Sequence, residues 1–149
     1  MSSSTPIETD RGTWTPPDDE ALTRVMRDAT TIAVVGASGD PSRPSHGVTA
    51  YLINAGYTVW PVHPKETEIL GVPVFASLAE LPGTPDIVDV FRKADALPGV
   101  AEQAIGTGAS VFWAQLGLHS DDAVRIAHGA GLEVVTDRCI KVEHARLLG

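Results

Sequence analysis

The sequence has little of what several protein classes require. It contains one cysteine, Cys139, so neither an intramolecular disulfide nor a thiolate zinc cage is possible. No apolar run approaches the roughly 20 residues of a membrane span, and the first residues lack the basic and apolar segments of a secretory signal. Cations are scarce, with 11 Lys+Arg against 19 Asp+Glu and a net charge of -8. Because nucleic acid needs a broad basic surface, we expect no nucleic-acid partner. The missing membrane span and secretory signal lead us to expect a cytoplasmic protein without a membrane partner.

The order of patterns along the chain predicts its organisation. Residues 1–17, rich in Ser, Thr and Pro, predict a flexible leader with Trp14 as its candidate anchor, and residues 18–149 predict one domain. In that domain strand and helix patterns alternate with short connections, which is typical of βαβ units and a parallel sheet. The predicted fold class is α/β, a single Rossmann-like doubly wound domain with a mainly parallel sheet of five to six strands. The predicted strands cover residues 31–35, 57–62, 72–75, 87–91, 111–116 and 132–135.

Such sheets bind ligands at the carboxyl ends of their strands, so the first loop, residues 36–47, is a candidate site. Gly36 lets the chain turn directly off the strand. Ser45 is predicted to precede a helix, whose free N–H groups favour an anion, and Arg43 adds a cation nearby. The loop is not G-x-G-x-x-G, so the dinucleotide fingerprint is absent. It therefore predicts a phosphate site of another kind.

The end of the second predicted strand carries His63, Pro64 and Lys65. NAD-binding domains place an acidic residue there to accept hydrogen bonds from the ribose hydroxyls. A cation in that place suits a phosphate on the ribose, as in NADP or coenzyme A. Pro61 and Pro64 precede the lysine and restrict the backbone that leads to it.

Two later strand ends and one polar cluster add weaker candidates. Val90, Phe91 and Arg92 can cover an adenine or an acyl-carrier arm, and Gln115 and Gly117 follow the fifth predicted strand. Cys139 and His144 lie five residues apart on a predicted helix, a poor spacing for a nucleophile and its base. Because no other catalytic constellation is present, the sequence predicts binding rather than catalysis.

Five segments, in order and in register, resemble the small stand-alone CoA-binding proteins, which have the fold of the CoA-binding domain in the succinyl-CoA synthetase alpha subunit. The segments are residues 32–38 (IAVVGAS), 56–65 (GYTVWPVHPK), 89–92 (DVFR), 111–117 (VFWAQLG) and 137–141 (DRCIK). The resemblance extends over roughly residues 20–149. The phosphohistidine segment of the ligases has no counterpart here.

The resemblance implies a site for coenzyme A or an acyl-CoA across the strand ends. The turn of Gly36, Ala37 and Ser38 and the stretch from Arg43 to Ser45 would contact the nucleotide phosphates. His63-Pro64-Lys65 would place Lys65 near the 3′-phosphate. Val90, Phe91 and Arg92 would pack on the adenine or the pantetheine arm, with Gln115 and Gly117 further along.

The main hypothesis is therefore a non-catalytic module whose partner is a small-molecule nucleotide, of open oligomeric state. Two alternatives remain, an NADP-binding redox protein and an interaction protein with a vestigial nucleotide pocket. A further hypothesis is a mixed disulfide between Cys139 and the thiol of coenzyme A.

Overall fold

The helices and strands follow one another in the expected alternation in a computed structural model, which describes residues 12–149. Its helices are α1 (Asp19–Asp28), α2 (Pro44–Asn54), α3 (Leu97–Thr107), α4 (Asp121–Gly129) and α5 (Ile140–Leu147). Its strands are β1 (Thr31–Val35), β2 (Thr58–Val62), β3 (Glu68–Ile69), β4 (Val72–Pro73), β5 (Ile87–Val90), β6 (Val111–Ala114) and β7 (Glu133–Val135). Short 3₁₀ turns lie at Leu78–Glu80 and Ala94–Ala96. None of the helices within these residues has both the length and the hydropathy to cross a membrane.

Five of the strands form one parallel sheet in the order β2-β1-β5-β6-β7. The chain runs outward from β1 to β2, then returns to β5 on the other side of β1 and continues outward to β7. The strand order therefore reverses between β1 and β5, which is the switch point where doubly wound sheets bind ligands. The predicted Rossmann-like fold class is confirmed.

Both faces of the sheet are covered because its strands are apolar on both sides. Ile32, Val34 and Trp113 pack on the face that carries α1, α2 and α5. Val88 and Phe112 pack on the opposite face, under α3 and α4. The polar ends of the strands are therefore the part of the sheet left open to a ligand.

The predicted third strand at residues 72–75 does not join the main sheet. Val72 and Pro73 form an antiparallel hairpin with Glu68 and Ile69. Leu70 and Gly71 both have positive φ, 53° and 81°, the geometry of a two-residue hairpin turn. Only Phe75 reaches the sheet, through an isolated bridge to Val62. The main sheet thus has five strands.

Residues 12–17 contain no helix or strand, but Trp14 is anchored. Its indole N–H donates a hydrogen bond to the Val134 carbonyl on the edge strand β7, at 3.0 Å. Asp18 then caps α1 by accepting a hydrogen bond from the Ala21 amide, at 2.9 Å. The rest of the predicted leader, residues 1–11, lies outside the described residues.

Candidate functional site

A cleft of about 950 Å³ opens at the carboxyl ends of the sheet strands. Its lining includes residues after β1, β2, β5 and β6, and Cys139 at the start of α5. Its size lies within the range of pockets for cofactor-sized ligands. Most of the sequence-predicted residues line it: Gly36, Ala37, Ser38, Arg43, Ser45, His63, Pro64, Phe91, Arg92 and Gln115.

The base of the cleft is backbone at the point where β1 and β5 separate. Gly36 has a φ of +84°, and a Cβ built on it would lie 2.7 Å from the Phe91 carbonyl oxygen. Only glycine fits here, because both the conformation and the close approach exclude a side chain. Its amide donates a hydrogen bond to the Val62 carbonyl, which holds the turn against the end of β2.

The N-terminus of α2 forms one wall of the cleft. Arg43 occupies the N-cap, Pro44 follows it, and no side chain caps the helix. Ser45 was predicted to precede the helix, but it lies in its first turn, because Pro44 is favourable at the first helical position. The uncapped N–H groups at such a helix end favour an anion.

His63 orders the loop after β2. Its Nδ1 accepts hydrogen bonds from the amides of Lys65 and Glu66, at 3.0 and 3.1 Å. The carboxylate of Glu66 in turn accepts a hydrogen bond from the Gly39 amide at 2.9 Å, which ties this loop to the one after β1. Lys65 is exposed and does not line the cleft.

The end of β5 contributes Phe91, Arg92 and Lys93 to the lining. Val90, which was predicted to pack on the ligand, is fully buried. Its side chain belongs to the core on the α3–α4 side, together with Val88. Val90 is still inside the strand, where side chains alternate between the two faces, so its side chain lies in the core and not in the cleft lining.

The cations beside the cleft differ from the other arginines because they form no ion pair within 4 Å. This holds for Arg43, Lys65, Arg92 and Lys93 among residues 12–149, although hydrogen bonds from Ser42 and, after them, the charge of Arg43 lower the pKa of the nearby Asp40. Each of the other described arginines forms at least one ion pair: Arg24, Arg27, Arg125, Arg138 and Arg146. Lys141, the remaining described lysine, lies over the Tyr51 ring at 5.9 Å.

Buried hydrogen bonds hold the start of α5 against the end of β6. The Gln115 side-chain oxygen accepts a hydrogen bond from the Ile140 amide at 3.1 Å, and the Trp113 indole donates to the Arg138 carbonyl at 2.8 Å. Cys139, between these two contacts, lines the cleft. The predicted role of Gln115 at the cleft is therefore combined with a structural one.

Gly117 does not line the cleft, although it was predicted to do so. Its amide donates a hydrogen bond to the Asp137 carboxylate at 2.6 Å. This backbone donor is therefore already used within the protein, and a contact between Gly117 and a ligand stays a prediction.

The cleft consequently has two unlike halves. The cationic half lies at the ends of β2, β1 and β5 and contains His63, Arg43, Arg92 and Lys93. The apolar half lies beyond β6 and β7 and contains Leu116, Leu118 and Cys139, with Gln115 at its base. A long ligand with a charged end and an uncharged end matches this arrangement.

Cys139 and His144 do not form a catalytic pair. The His144 ring is hydrogen-bonded through Nδ1 to the Tyr51 hydroxyl at 2.9 Å and packs edge-on against Tyr51 and Tyr57. Burial lowers the pKa of this imidazole. No cluster of metal-ligating side chains occurs among residues 12–149.

Asp89 is the one described side chain with buried polar atoms that have no hydrogen-bond partner. It lies in the middle of the sheet on β5, is 0% exposed, and neither carboxylate oxygen is paired. Desolvation raises its pKa well above the usual carboxyl value. Burial therefore favours the neutral form of this carboxyl over its charged form.

Several lining residues were not found from the sequence. Leu116 directly follows the predicted Gln115 and could have been included on position alone. Other lining residues come from the segment after β4 and from α3: Ala76, Ser77, Leu78 and Gln103. Nothing in the local pattern of these four indicates a ligand, because only the packing of their elements brings them to the cleft.

Comparison with known proteins places most of this chain in one family. Residues 30–145 match the family model described as CoA binding domain. The uncharacterized protein YneT of Bacillus subtilis is 44% identical over 129 residues, which are 87% of this chain and 96% of that protein. The alpha subunit of ADP-forming acetate–CoA ligase II from Pyrococcus furiosus is 31% identical over 78% of this chain but only 28% of its own length.

Solved structures agree with this assignment. A hypothetical protein from Pyrococcus horikoshii has a TM-score of 0.86 and 38% identity, with both chains fully covered. A protein from Thermus thermophilus has a TM-score of 0.84 and 40% identity over 89% of this chain and all of its own.

Proposed function

The chain belongs to the CoA-binding domain family, and from this premise we propose that it binds coenzyme A or an acyl-CoA in the cleft without catalysing a reaction on it. The observation that carries the proposal is a set of cations: of the residues described, only Arg43, Lys65, Arg92 and Lys93 are arginines or lysines that form neither an ion pair within 4 Å nor a contact with an aromatic ring. Arg43 is the N-cap of α2, whose N-terminus no side chain caps, and Arg43, Arg92 and Lys93 line a cleft of cofactor size. Coenzyme A brings the phosphates that such groups bind.

The two halves of the cleft give the ligand a direction. The pyrophosphate lies against the turn of Gly36, Ala37 and Ser38 and the start of α2. Lys65 reaches over from its exposed turn to the 3′-phosphate. Phe91 and Arg92 pack beside the adenine or the pantetheine arm, and the thiol end points toward Gln115 and Cys139.

A thermal-shift comparison of coenzyme A, NADP and NAD tests the ligand. We expect coenzyme A at about 100 times its Kd to raise the Tm by roughly 5–10 °C, with no comparable effect of NAD. Stabilisation by NADP alone would favour the redox alternative, because NADP also carries a phosphate on its ribose. No shift with any of the three would favour an interaction protein with a vestigial pocket.

The proposal also states that the protein does not cleave the thioester of an acyl-CoA, and this part has its own test. Acetyl-CoA incubated with the protein should release no free thiol beyond the rate without protein, as read with a thiol reagent. Release that depends on the protein and saturates with acetyl-CoA would make it a thioesterase or transferase instead. We also place the protein in the cytoplasm, where coenzyme A is available and Cys139 stays reduced.

A further inference from the structure

A second groove of about 570 Å³ continues from the apolar half of the cleft. Leu116 and Cys139 line both the cleft and this side groove, so the two spaces meet at these residues. Trp14 and Pro16 from the N-terminal segment and Val142 from α5 complete its apolar surface. The side groove therefore begins where the thiol end of the proposed ligand would stop.

The apolar surface of the side groove is unusually exposed. Leu116 is 67% exposed and Val142 54% exposed, and Leu70 at 43% is the other large hydrophobic side chain exposed between residues 12 and 149. Two of these three side chains thus face one groove. Trp14 is fixed there by its hydrogen bond to the Val134 carbonyl.

The polar side chains of the side groove are already paired with protein groups. His119 is hydrogen-bonded to Thr136 at 3.0 Å and to an aspartate at 2.7 Å. Asp137 accepts the Gly117 amide. Arg138 and Glu143 form an ion pair at 3.4 Å. Of the acidic and basic side chains in this lining, only Asp137 forms no ion pair with a described residue, and its carboxylate would repel an anionic ligand, whereas Leu116 and Val142 are exposed apolar side chains.

We propose that the side groove binds the acyl chain of a CoA thioester and that this chain is apolar and uncharged. The proposal rests on the proposed function, because the nucleotide must lie in the cationic half for its thioester to reach Leu116 and Cys139. It goes further by naming the class of acyl group. Burial of methylene groups against Leu116, Val142 and Trp14 supplies the added affinity.

Isothermal titration with coenzyme A, butyryl-CoA and succinyl-CoA tests the proposal. The two thioesters each carry four acyl carbons and differ in the terminal carboxylate. A fully buried methylene strengthens binding up to about fourfold, and the groove is open on one side, so we expect butyryl-CoA to bind about tenfold more tightly than coenzyme A. Succinyl-CoA should gain nothing.

The outcomes separate this inference from the proposed function. If coenzyme A and both thioesters bind with equal affinity, or if succinyl-CoA binds best, the side groove does not hold an apolar acyl chain. If none of the three binds, the proposed function itself fails.

A matched pair of variants locates the effect. Val142→Asp puts a carboxylate into the side groove, and Leu70→Asp puts the same charge on the exposed hairpin turn, which lines neither space. The ratio of butyryl-CoA to coenzyme A affinity should fall to about one in V142D and stay at the wild-type value in L70D. An unchanged affinity ratio in V142D would overturn the proposal. A wild-type protein that is dimeric and becomes monomeric in V142D would also overturn it, because the side groove would then bind a second copy of the chain.

Discussion

The two halves of the cleft leave opposite kinds of groups without partners. In the cationic half, Arg43, Arg92 and Lys93 form no ion pair within 4 Å with a described residue, whereas in the apolar half Gln115 is hydrogen-bonded and Leu116 is exposed. Groups that a folded chain leaves unpartnered are those that a ligand can satisfy at least cost. The difference therefore indicates both the chemistry of the ligand and its direction along the sheet.

The largest expected effect comes from Gly36, at the base of the cationic half. Gly36→Ala should lower the free energy of unfolding by roughly 3 kcal/mol, because a Cβ is disfavoured at positive φ and would collide with the Phe91 carbonyl. Chemical denaturation measures it. Gly47→Ala, at an exposed position of α2 with open space around its Cβ, should instead raise stability by about 0.5–1 kcal/mol. Two effects of the same sign would contradict the assigned close approach.

The contrast between the halves assumes that the charged groups lie at the edge of the sheet and that its interior is uncharged. The pH dependence of stability tests this assumption at Asp89, which is buried in the middle of the sheet. Its folded-state pKa is raised by burial, so the native state keeps a proton that the unfolded state releases. Stability should therefore be fully present below the ordinary carboxyl pKa and fall by about 1.4 kcal/mol per pH unit as pH rises toward the raised value.

The pH dependence is measured as a difference between the wild type and Asp89→Asn, which cannot titrate at this position. The other groups with shifted pKa values, among them His144 and Asp40, are present in both proteins and cancel. A wild-type curve parallel to that of D89N would show that Asp89 is not protonated in the native state.

Arg43 tests the cationic half at its centre. Arg43→Ala should weaken coenzyme A binding about tenfold, the equivalent of one lost hydrogen bond to a charged group, and the loss should shrink at high salt. Arg125→Ala removes the same charge from an exposed pair on α4 and is the control for net charge. Similar losses in both variants would mean that Arg43 acts only through the overall charge.

Lys65 tests how far the cationic half extends beyond the cleft lining. Lys65→Ala should weaken binding of coenzyme A about threefold, since an exposed ion pair contributes little, and should leave dephospho-CoA unaffected. Calorimetry with both ligands gives the comparison. Equal losses for both would remove the role of Lys65 at the 3′-phosphate.

Cys139 tests the apolar half of the cleft, where the thiol end of the ligand is proposed to lie. The expected result is a covalent adduct rather than a change in affinity. Cys139 lines the cleft, so its thiolate should attack coenzyme A disulfide, forming a Cys139–CoA disulfide and releasing one molecule of coenzyme A thiolate. Intact mass spectrometry detects the adduct, and Cys139→Ser should show none. An unmodified wild-type protein would place the ligand thiol elsewhere.

Much of the fold and part of the site were predictable because they depend on local pattern. The apolar runs at β1 and β5 and the glycine after β1 mark strand ends from neighbouring residues alone, and Phe91 and Arg92 are found in the same way. The burial of Val90 was not predictable in the same way, because one position decides whether a side chain is in the strand or beyond it. The segment at residues 72–75 was misassigned because a hairpin turn at Leu70 and Gly71 competes with the sheet for it.

The sequence alone determined that strands and helices alternate, that their ends carry glycine and scarce cations, and that the chain resembles CoA-binding proteins. Only the tertiary structure decided which strand ends are neighbours. The pairing of β1 with β5 and of β6 with β7 brings Cys139 into the lining of the same cleft as Gly36. The tertiary structure also decides which arginines form ion pairs and which cations at the cleft do not. The strand pairings join residues well separated in the chain, such as Ile32 with Ile87 and Val111 with Glu133, and the free energy of such pairing depends on the whole core rather than on any local pattern.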